Sequence, residues 1–278
     1  MTGGLRPVVA CVDGSAEALR AVEWAAGRAA RGGLPLRIVH AHLWPLMHVP
    51  LGAAPGVPEV AGLDARAEAI RDEAVDRAEK AGMSPDATVI VGFRIPVLLD
   101  ESRDAERLVI GSRGLGGVGS VLLGSTGVEL AARAASPVTV VKGGGAGPVR
   151  GPDRIVVGYD GSGPAERALD YAFAEARATE VPLVVVRALG RTDETGRLEE
   201  ALAVRRAAGP EVVVSARQER GNPAGLLLAE ADENTEIVVG SRGRGGFRGM
   251  LLGSVSQGVL HHAACVVTVV PHPEDVAA

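Results

Sequence analysis

Two stretches of this chain carry the residue types that hold a phosphate. Gly111-Ser112-Arg113-Gly114-Leu115-Gly116-Gly117-Val118-Gly119-Ser120-Val121-Leu122-Leu123-Gly124-Ser125 returns as Gly240-Ser241-Arg242-Gly243-Arg244-Gly245-Gly246-Phe247-Arg248-Gly249-Met250-Leu251-Leu252-Gly253-Ser254, with ten of the fifteen positions identical. Glycines let a backbone take positive φ and approach a ligand closely, and a helix that starts just after them points unpaired N–H groups and a positive dipole at an anion. Ser125 and Ser254 bring a hydroxyl to that helix start, and Arg113 and Arg242 are candidates for neutralising charge or, equally, solvated loop arginines. The competing reading is a tight strand-to-helix turn with no ligand. Two copies that keep Gly, Gly and Gly-Ser at one spacing while their neighbours differ weigh against it.

Asp13 and Asp160 form the second constellation, each following a short apolar run and opening an Asp-Gly-Ser triplet. A carboxylate at the carboxyl end of a parallel strand can accept ribose hydroxyls or adenine N–H, or help hold a divalent ion near phosphates. It can also simply cap its own turn. Other patterns are decoys. Gly114 to Gly119 fits a dinucleotide fingerprint but follows the fourth apolar run, finds Thr139 twenty residues on, and is broken at Arg248 in the second copy. The lysines, Lys80 and Lys142, lie outside the glycine loops, so there is no phosphate-loop Gly-Lys-Ser/Thr. His261 and His262 are adjacent and point apart on a helix; His40 and His42 share a strand face without an acid or cysteine to complete a metal site. Cys11 and Cys265 stand alone in apolar segments, which leaves neither a disulfide framework nor a cysteine metal site.

The elements that must position these groups are also written twice. Val8-Val9-Ala10-Cys11-Val12-Asp13-Gly14-Ser15 corresponds to Ile155-Val156-Val157-Gly158-Tyr159-Asp160-Gly161-Ser162, at an offset of 147 residues that falls to 129 at the glycine loops. The first copy is therefore longer by 18 residues, which the Pro- and Gly-rich segment from Trp44 to Gly62 accounts for as a surface loop. Gly143 to Pro148 reads as a flexible connector, placing a first domain at residues 1–142, a linker at 143–152 and a second domain at 153–278. In each half, short apolar runs alternate with helical periods, the pattern of βαβ units in a mainly parallel sheet. Buried strands are expected near 8–12, 36–41, 88–91, 108–110 and 138–141, and near 155–159, 183–188, 212–215, 237–239 and 266–270. Leu169, Ala172, Phe173 and Ala176 form a helical stripe after Ser162, and Ser15 and Ser162 are suited to cap the helices that follow them.

Net charge is −5, divided as −1 and −4 between the copies, which does not suit nucleic acid. Mean hydropathy is +0.18, yet each apolar run falls short of the ~18–20 residues that cross a bilayer, so no membrane role is expected. A strand-like run begins almost at once at Val8, without a secretory pattern, and a cytoplasmic location is expected.

Strand, Asp-Gly-Ser, then Gly-x2-Gly-x9-Gly-Ser before a helix and a Val-rich last strand resembles the universal stress protein family in its tandem, ATP-binding form. The resemblance implies two tandem open parallel five-stranded sheets of order 3-2-1-4-5, with helices on both faces and ATP, with Mg, between the first and fourth strands. It implies that Asp13 and Asp160 contact the nucleoside or metal side and that Ala41 and Ala188 contact adenine. Gly111, Gly114, Gly124, Ser125 and Thr126 would cradle phosphates in the first site, and Gly240, Gly243, Gly253, Ser254 and Val255 in the second. It further implies pairing through the final strands, between the two domains or in a homodimer, and an unnamed protein partner.

The function this favours is a cytoplasmic ATP-binding stress-response regulator that senses nucleotide instead of turning it over. Neither glycine loop holds an Asp, Glu or His to act as a general base, so any hydrolysis should be slow. Three arginines in the second loop against one in the first suggest that the second site holds triphosphate more tightly. The alternatives are a dimerisation scaffold with non-binding glycine loops, and an adenylating enzyme, whose Ser-Gly-Gly-x-Asp-Ser or His-x-Gly-His signature is missing.

Overall fold

Five consecutive apolar residues, Val8–Val12, form strand β1, and every one is buried, as a strand covered on both faces requires. Helix α1 (Ala16–Gly32) starts at Ser15, whose Oγ accepts the Ala18 N–H at 3.2 Å, and stops at Gly33 in the left-handed region, φ 60°. The computed structural model describes residues 5–42, 58–112, 124–142, 150–190, 196–244 and 251–272. The first half continues with β2 (Leu36–His42), α2 (Pro58–Lys80), β3 (Asp86–Val91), α3 (Arg94–Asp104), β4 (Arg107–Gly111), α4 (Ser125–Arg133) and β5 (Val138–Val141). The second half repeats it as β6 (Arg154–Gly158), α5 (Gly163–Thr179), β7 (Leu183–Ala188), α6 (Gly196–Ala208), β8 (Val214–Glu219), α7 (Pro223–Ala229), β9 (Thr235–Gly240), α8 (Ser254–His262) and β10 (Val266–Val270). Ser162 caps α5 as Ser15 caps α1, and the expected stripe of Leu169, Ala172, Phe173 and Ala176 is buried.

Each half has the order 3-2-1-4-5, parallel throughout, but the halves do not keep separate sheets. β5 and β10 pair antiparallel, Val138 with Val269, Thr139 with Thr268 and Val140 with Val267, giving one ten-stranded sheet, β3-β2-β1-β4-β5-β10-β9-β6-β7-β8. The final strands are thus satisfied within the chain. A homodimer through them, as expected from the sequence, would have to displace this pairing, because each already has a neighbour on both sides.

Three local expectations change. β3 and β8 are sheet edges, partly exposed instead of fully buried. β8 begins at Val214, two residues later than expected: Val212 is tucked into the core while Val213 is 73% exposed, so the Val-Val-Val run straddles the turn into the strand. Part of the segment from Trp44 to Gly62 is helical, since α2 starts at Pro58 and runs 23 residues against 13 in α6; residues 43–57 lie outside the described residues. The linker expected at 143–152 lies mostly outside them too.

On one face of the sheet a single apolar cluster crosses the seam, joining Leu130, Val138 and Val140 to Leu260, Val267 and Val269. On the other face the clusters under α1 and α5 are separate, and buried charges lie between them. Arg28 of α1 donates from Nε and Nη2 to the Glu175 carboxylate of α5 at 2.7 and 2.8 Å. Arg107 of β4 donates from Nη2 to the same carboxylate at 2.5 Å, with Nη1 3.9 Å from Glu236 Oε1 of β9. The Arg107 guanidinium lies between the Trp24 and Tyr171 rings, 5.7 and 5.2 Å from their centroids. Thr268 donates its hydroxyl to Glu236 at 2.7 Å and lies 2.8 Å from the Thr139 hydroxyl.

Candidate functional site

Strands β6 and β9 are parallel neighbours, and their carboxyl ends open into a cavity of about 550 Å³. Asp160, Ala188, Gly240 and Arg242 line it, as do Gly243, Gly253, Ser254 and Val255. All eight site residues expected for the second half are therefore brought together in one crevice, the place where an open α/β sheet binds ligands. Its lining is apolar at Val186, Leu227, Val239 and Leu252 and basic at Arg187, which is buried, and at Arg242 and Arg244. Asp160 is the one carboxylate among the lining residues.

Asp160 ties the crevice together. Its Oδ1 accepts the Ser162 N–H and its Oδ2 the Arg244 N–H, both at 2.9 Å, so it holds the Asp-Gly-Ser turn against the glycine loop. Gly243 has to be glycine for this contact, since a Cβ there would fall 2.6 Å from Asp160 Oδ2. Gly161 takes φ +76°, open to glycine, and the Arg244 guanidinium lies where its Cβ would be.

Helix α8 begins at Gly253 with no side-chain cap, and its first three residues line the cavity. The first-turn N–H groups of a helix have no partners inside it, so this end is built to receive an acceptor. The Gly253 N–H itself donates to Ser241 O at 2.8 Å, which fixes where the loop enters the helix. Gly240 and Gly111, expected to cradle phosphate, have a packing reason first. A Cβ on Gly240 would lie 2.8 Å from Pro164 O, and one on Gly111 would lie 2.6 Å from the Glu17 carbonyl carbon. Both let the start of α5 or α1 sit against the end of the neighbouring strand.

Several lining residues were not among the expected site residues, Arg187, Ser256 and Tyr159 among them. Arg187, only 2% exposed, is the next-to-last residue of β7, just before Ala188; its counterpart in the first half is His40, so the repeat gave no signal. Ser256 donates its buried hydroxyl to Gly240 O at 2.6 Å, pinning α8 to β9, and is matched by Gly127. Tyr159 is buried, its hydroxyl bonded to Glu166, and burial together with that carboxylate pushes its pKa up to about 12, so it is a neutral wall.

In the first half, Asp13, Ala41 and Gly111 stand at the carboxyl ends of β1, β2 and β4, with β1 between the other two. Gly124, Ser125 and Thr126 open α4, which like α8 has no side-chain cap. Asp13 Oδ1 accepts the Ser15 N–H at 3.0 Å and its hydroxyl at 2.6 Å, so here too the carboxylate organises its own turn. Arg113 and Gly114 lie outside the described residues. His40 and His42 do share a side, with ring centroids 6.1 Å apart, and His40 Nδ1 is 2.8 Å from Val12 O; burial lowers the His40 pKa. Among the described residues no three His, Cys, Asp or Glu side chains group as a metal site, and no helix is long and apolar enough to cross a membrane.

Comparison with known proteins gives a consistent answer. A model of the universal stress protein family matches residues 4–142, 152–194 and 188–271. A universal stress protein of Mycolicibacterium smegmatis is 38% identical over 283 residues, spanning 93% of this chain and 95% of its own. One from Mycobacterium tuberculosis is 36% identical over 288 residues, spanning 94% and 96%. The crystal structure of a universal stress protein from Archaeoglobus fulgidus shares the fold with a TM-score of 0.76 at 26% identity, covering 96% of this chain and 98% of that one.

Proposed function

The chain belongs to the universal stress protein family, and from that premise we propose that it is an ATP-binding stress-response regulator with one nucleotide site in each half. The observation that carries this reading is the second crevice: apolar side chains, arginines and an uncapped helix start lining one cavity of about 550 Å³. An apolar wall suits a base, and three arginines with free helix N–H groups suit a triphosphate. Ala188 with Val186 and Leu227 is the adenine side, and Arg242, Gly243, Ser254 and Val255 form the phosphate side. For Mg the described lining residues offer the Asp160 carboxylate, and a cation here would be held largely through the phosphates it accompanies.

The same inventory favours sensing over turnover. Asp160 already accepts two backbone N–H groups, and no Asp, Glu or His lies between Gly240 and Ser254 to take a proton from water. Bound nucleotide would act by ordering the loop that Asp160, Gly243 and Arg244 share, and so by changing what that end of the protein presents to a partner. Arg187 adds a buried positive charge to the lining of the second site, in line with tighter triphosphate binding there.

The test is to denature freshly purified protein and identify released nucleotide by mass spectrometry, with its ratio to chain. ATP approaching two per chain is the expected result. No nucleotide, and no uptake from added Mg-ATP, would overturn the proposal and leave a scaffold whose glycine loops serve packing.

A further inference from the structure

The internal repeat can be laid onto the seam between the halves, position by position. The offset of 147 residues equates Trp24 with Tyr171 and Arg28 with Glu175; the offset of 129 equates Arg107 with Glu236 and Thr139 with Thr268. All eight residues meet at one place. Thr139 faces Thr268 in the antiparallel register, and a pairing of equivalent residues marks an approximate two-fold axis between the halves. Around that axis the uncharged positions are like against like: Thr with Thr, and an aromatic ring on either side of Arg107. The charged positions are opposites, arginine at both in the first half and glutamate at both in the second. Arg28, Arg107, Glu175 and Glu236 are 5%, 0%, 2% and 0% exposed.

We infer that these four buried ionisable side chains, basic in one half and acidic in the other, make the seam selective for two unlike halves, a first against a second, and reject two like halves, whether of one chain or of two. Two first halves on this axis would bring four guanidinium groups together away from water, and two second halves would bring four carboxylates. Two neighbouring groups are also unlike between the halves: Lys142, whose counterpart is Pro271, donates to Leu260 O and Ala263 O across the seam, and the partly exposed Glu106, whose counterpart is Thr235, accepts from Arg107 at 2.7 Å. The threonines and aromatic rings are of the same kind on both sides, and the apolar cluster on the other face would accept either half. Buried ion pairs are weak evidence for stability, because hydrophobic residues of the same shape often serve as well, but unlike charges penalise wrong pairings strongly. The partner this surface fits is therefore the complementary half, and a second copy of the chain is excluded unless its own seam opens first.

The prediction can be tested in full-length protein. The Arg28→Glu/Arg107→Glu chain carries glutamate at all four positions, and the Glu175→Arg/Glu236→Arg chain carries arginine at all four. Alone, each should lose hydrogen-exchange protection at the Val140 and Val267 amides by roughly 100-fold, since each seam now sets like charges together. Co-refolded in equal amounts, the two should form a 1:1 dimer in native mass spectrometry, each glutamate-bearing half of one chain against an arginine-bearing half of the other. The four-fold swap, both pairs in one chain, should return to a closed monomer with its protection restored. If the single-sign chains fail to fold alone, the mixture and the swap still report: recovery in either supports the inference, and recovery in neither overturns it. Unchanged protection in the single-sign chains would also overturn it.

Discussion

Replacing Glu236 by glutamine should stabilise the protein above neutral pH and leave it nearly unchanged in mild acid. Glu236 is fully buried, and its pKa is raised from 4.5 to about 7, chiefly because burial disfavours the anion and next because the Glu175 carboxylate repels it. Arg107, with Nη1 3.9 Å away, Arg28 and the Thr268 hydroxyl at 2.7 Å favour the anion but do not prevail. A carboxyl whose folded pKa lies above its unfolded value keeps a proton that the unfolded chain releases. Stability must then fall as pH rises from about 4.5 through about 7, and level off above. A rise of that size corresponds to on the order of 3 kcal/mol at pH 8, at ~1.4 kcal/mol per pKa unit. Glutamine resembles the protonated carboxyl, keeps an oxygen for Thr268, and removes this loss. Glu175 does not confuse the measurement. Its pKa is lowered, with Arg107 and Arg28 opposing the cost of burial, so its contribution is complete above about 4.5 and disappears only as pH falls further. Denaturant unfolding of both proteins at pH 5, 6, 7 and 8 should give curves that converge at pH 5 and separate by about 3 kcal/mol at pH 8. Parallel pH profiles, or a variant less stable at pH 8, would refute the reasoning and mean that the pull of Arg107 outweighs burial.

Two substitutions probe the second crevice. Gly243→Ala sets a Cβ 2.6 Å from Asp160 Oδ2 and so breaks the bond from the Arg244 N–H, a charge-assisted contact of about 1.5–3 kcal/mol; calorimetric titration with ATP should show that site weakened roughly 10- to 100-fold, and an isotherm within twofold of the parent would contradict the cradle. Ser256→Ala removes the buried bond to Gly240 O and should cost about 1 kcal/mol, a fall in melting temperature of about 2–4 °C by differential scanning calorimetry; an unchanged melting temperature would show that α8 is held at β9 by packing alone.

The sequence shows the fold well where burial is complete. β1, β5 and β10 fall at the residues expected of them because strands covered on both faces are nearly continuous apolar runs, broken in β5 and β10 by one buried threonine each. It fails at β8, whose alternating Val-Ser-Ala-Arg-Gln-Glu is an edge pattern next to a more tempting run of valines. The joining of two sheets into one was open for the same kind of reason: the last strand needs a neighbour, but its sequence does not say whose. In the second crevice, the repeat pointed to Asp160, Arg242, Ser254 and the glycines that both copies keep, and the family resemblance to Ala188 and Val255. The repeat passed over Arg187 and Ser256, which differ between the copies, because a comparison of a chain with itself is blind to what one half does alone. Gly240 and Gly111 show the opposite error, since glycine at a strand end answers equally to a ligand and to a neighbouring helix.

The antiparallel seam has a geometric consequence for how the molecule can be engaged. Strands within each half run one way, and the halves run against each other, so the carboxyl ends of β1 and β4 point away from those of β6 and β9. The crevice of the second half and the corresponding strand ends of the first therefore face opposite poles. A flat surface can dock against one of them at a time and gains no avidity from the other. A chain occupied by macromolecular partners at both ends is a bridge, holding two bodies apart across the width of its own sheet.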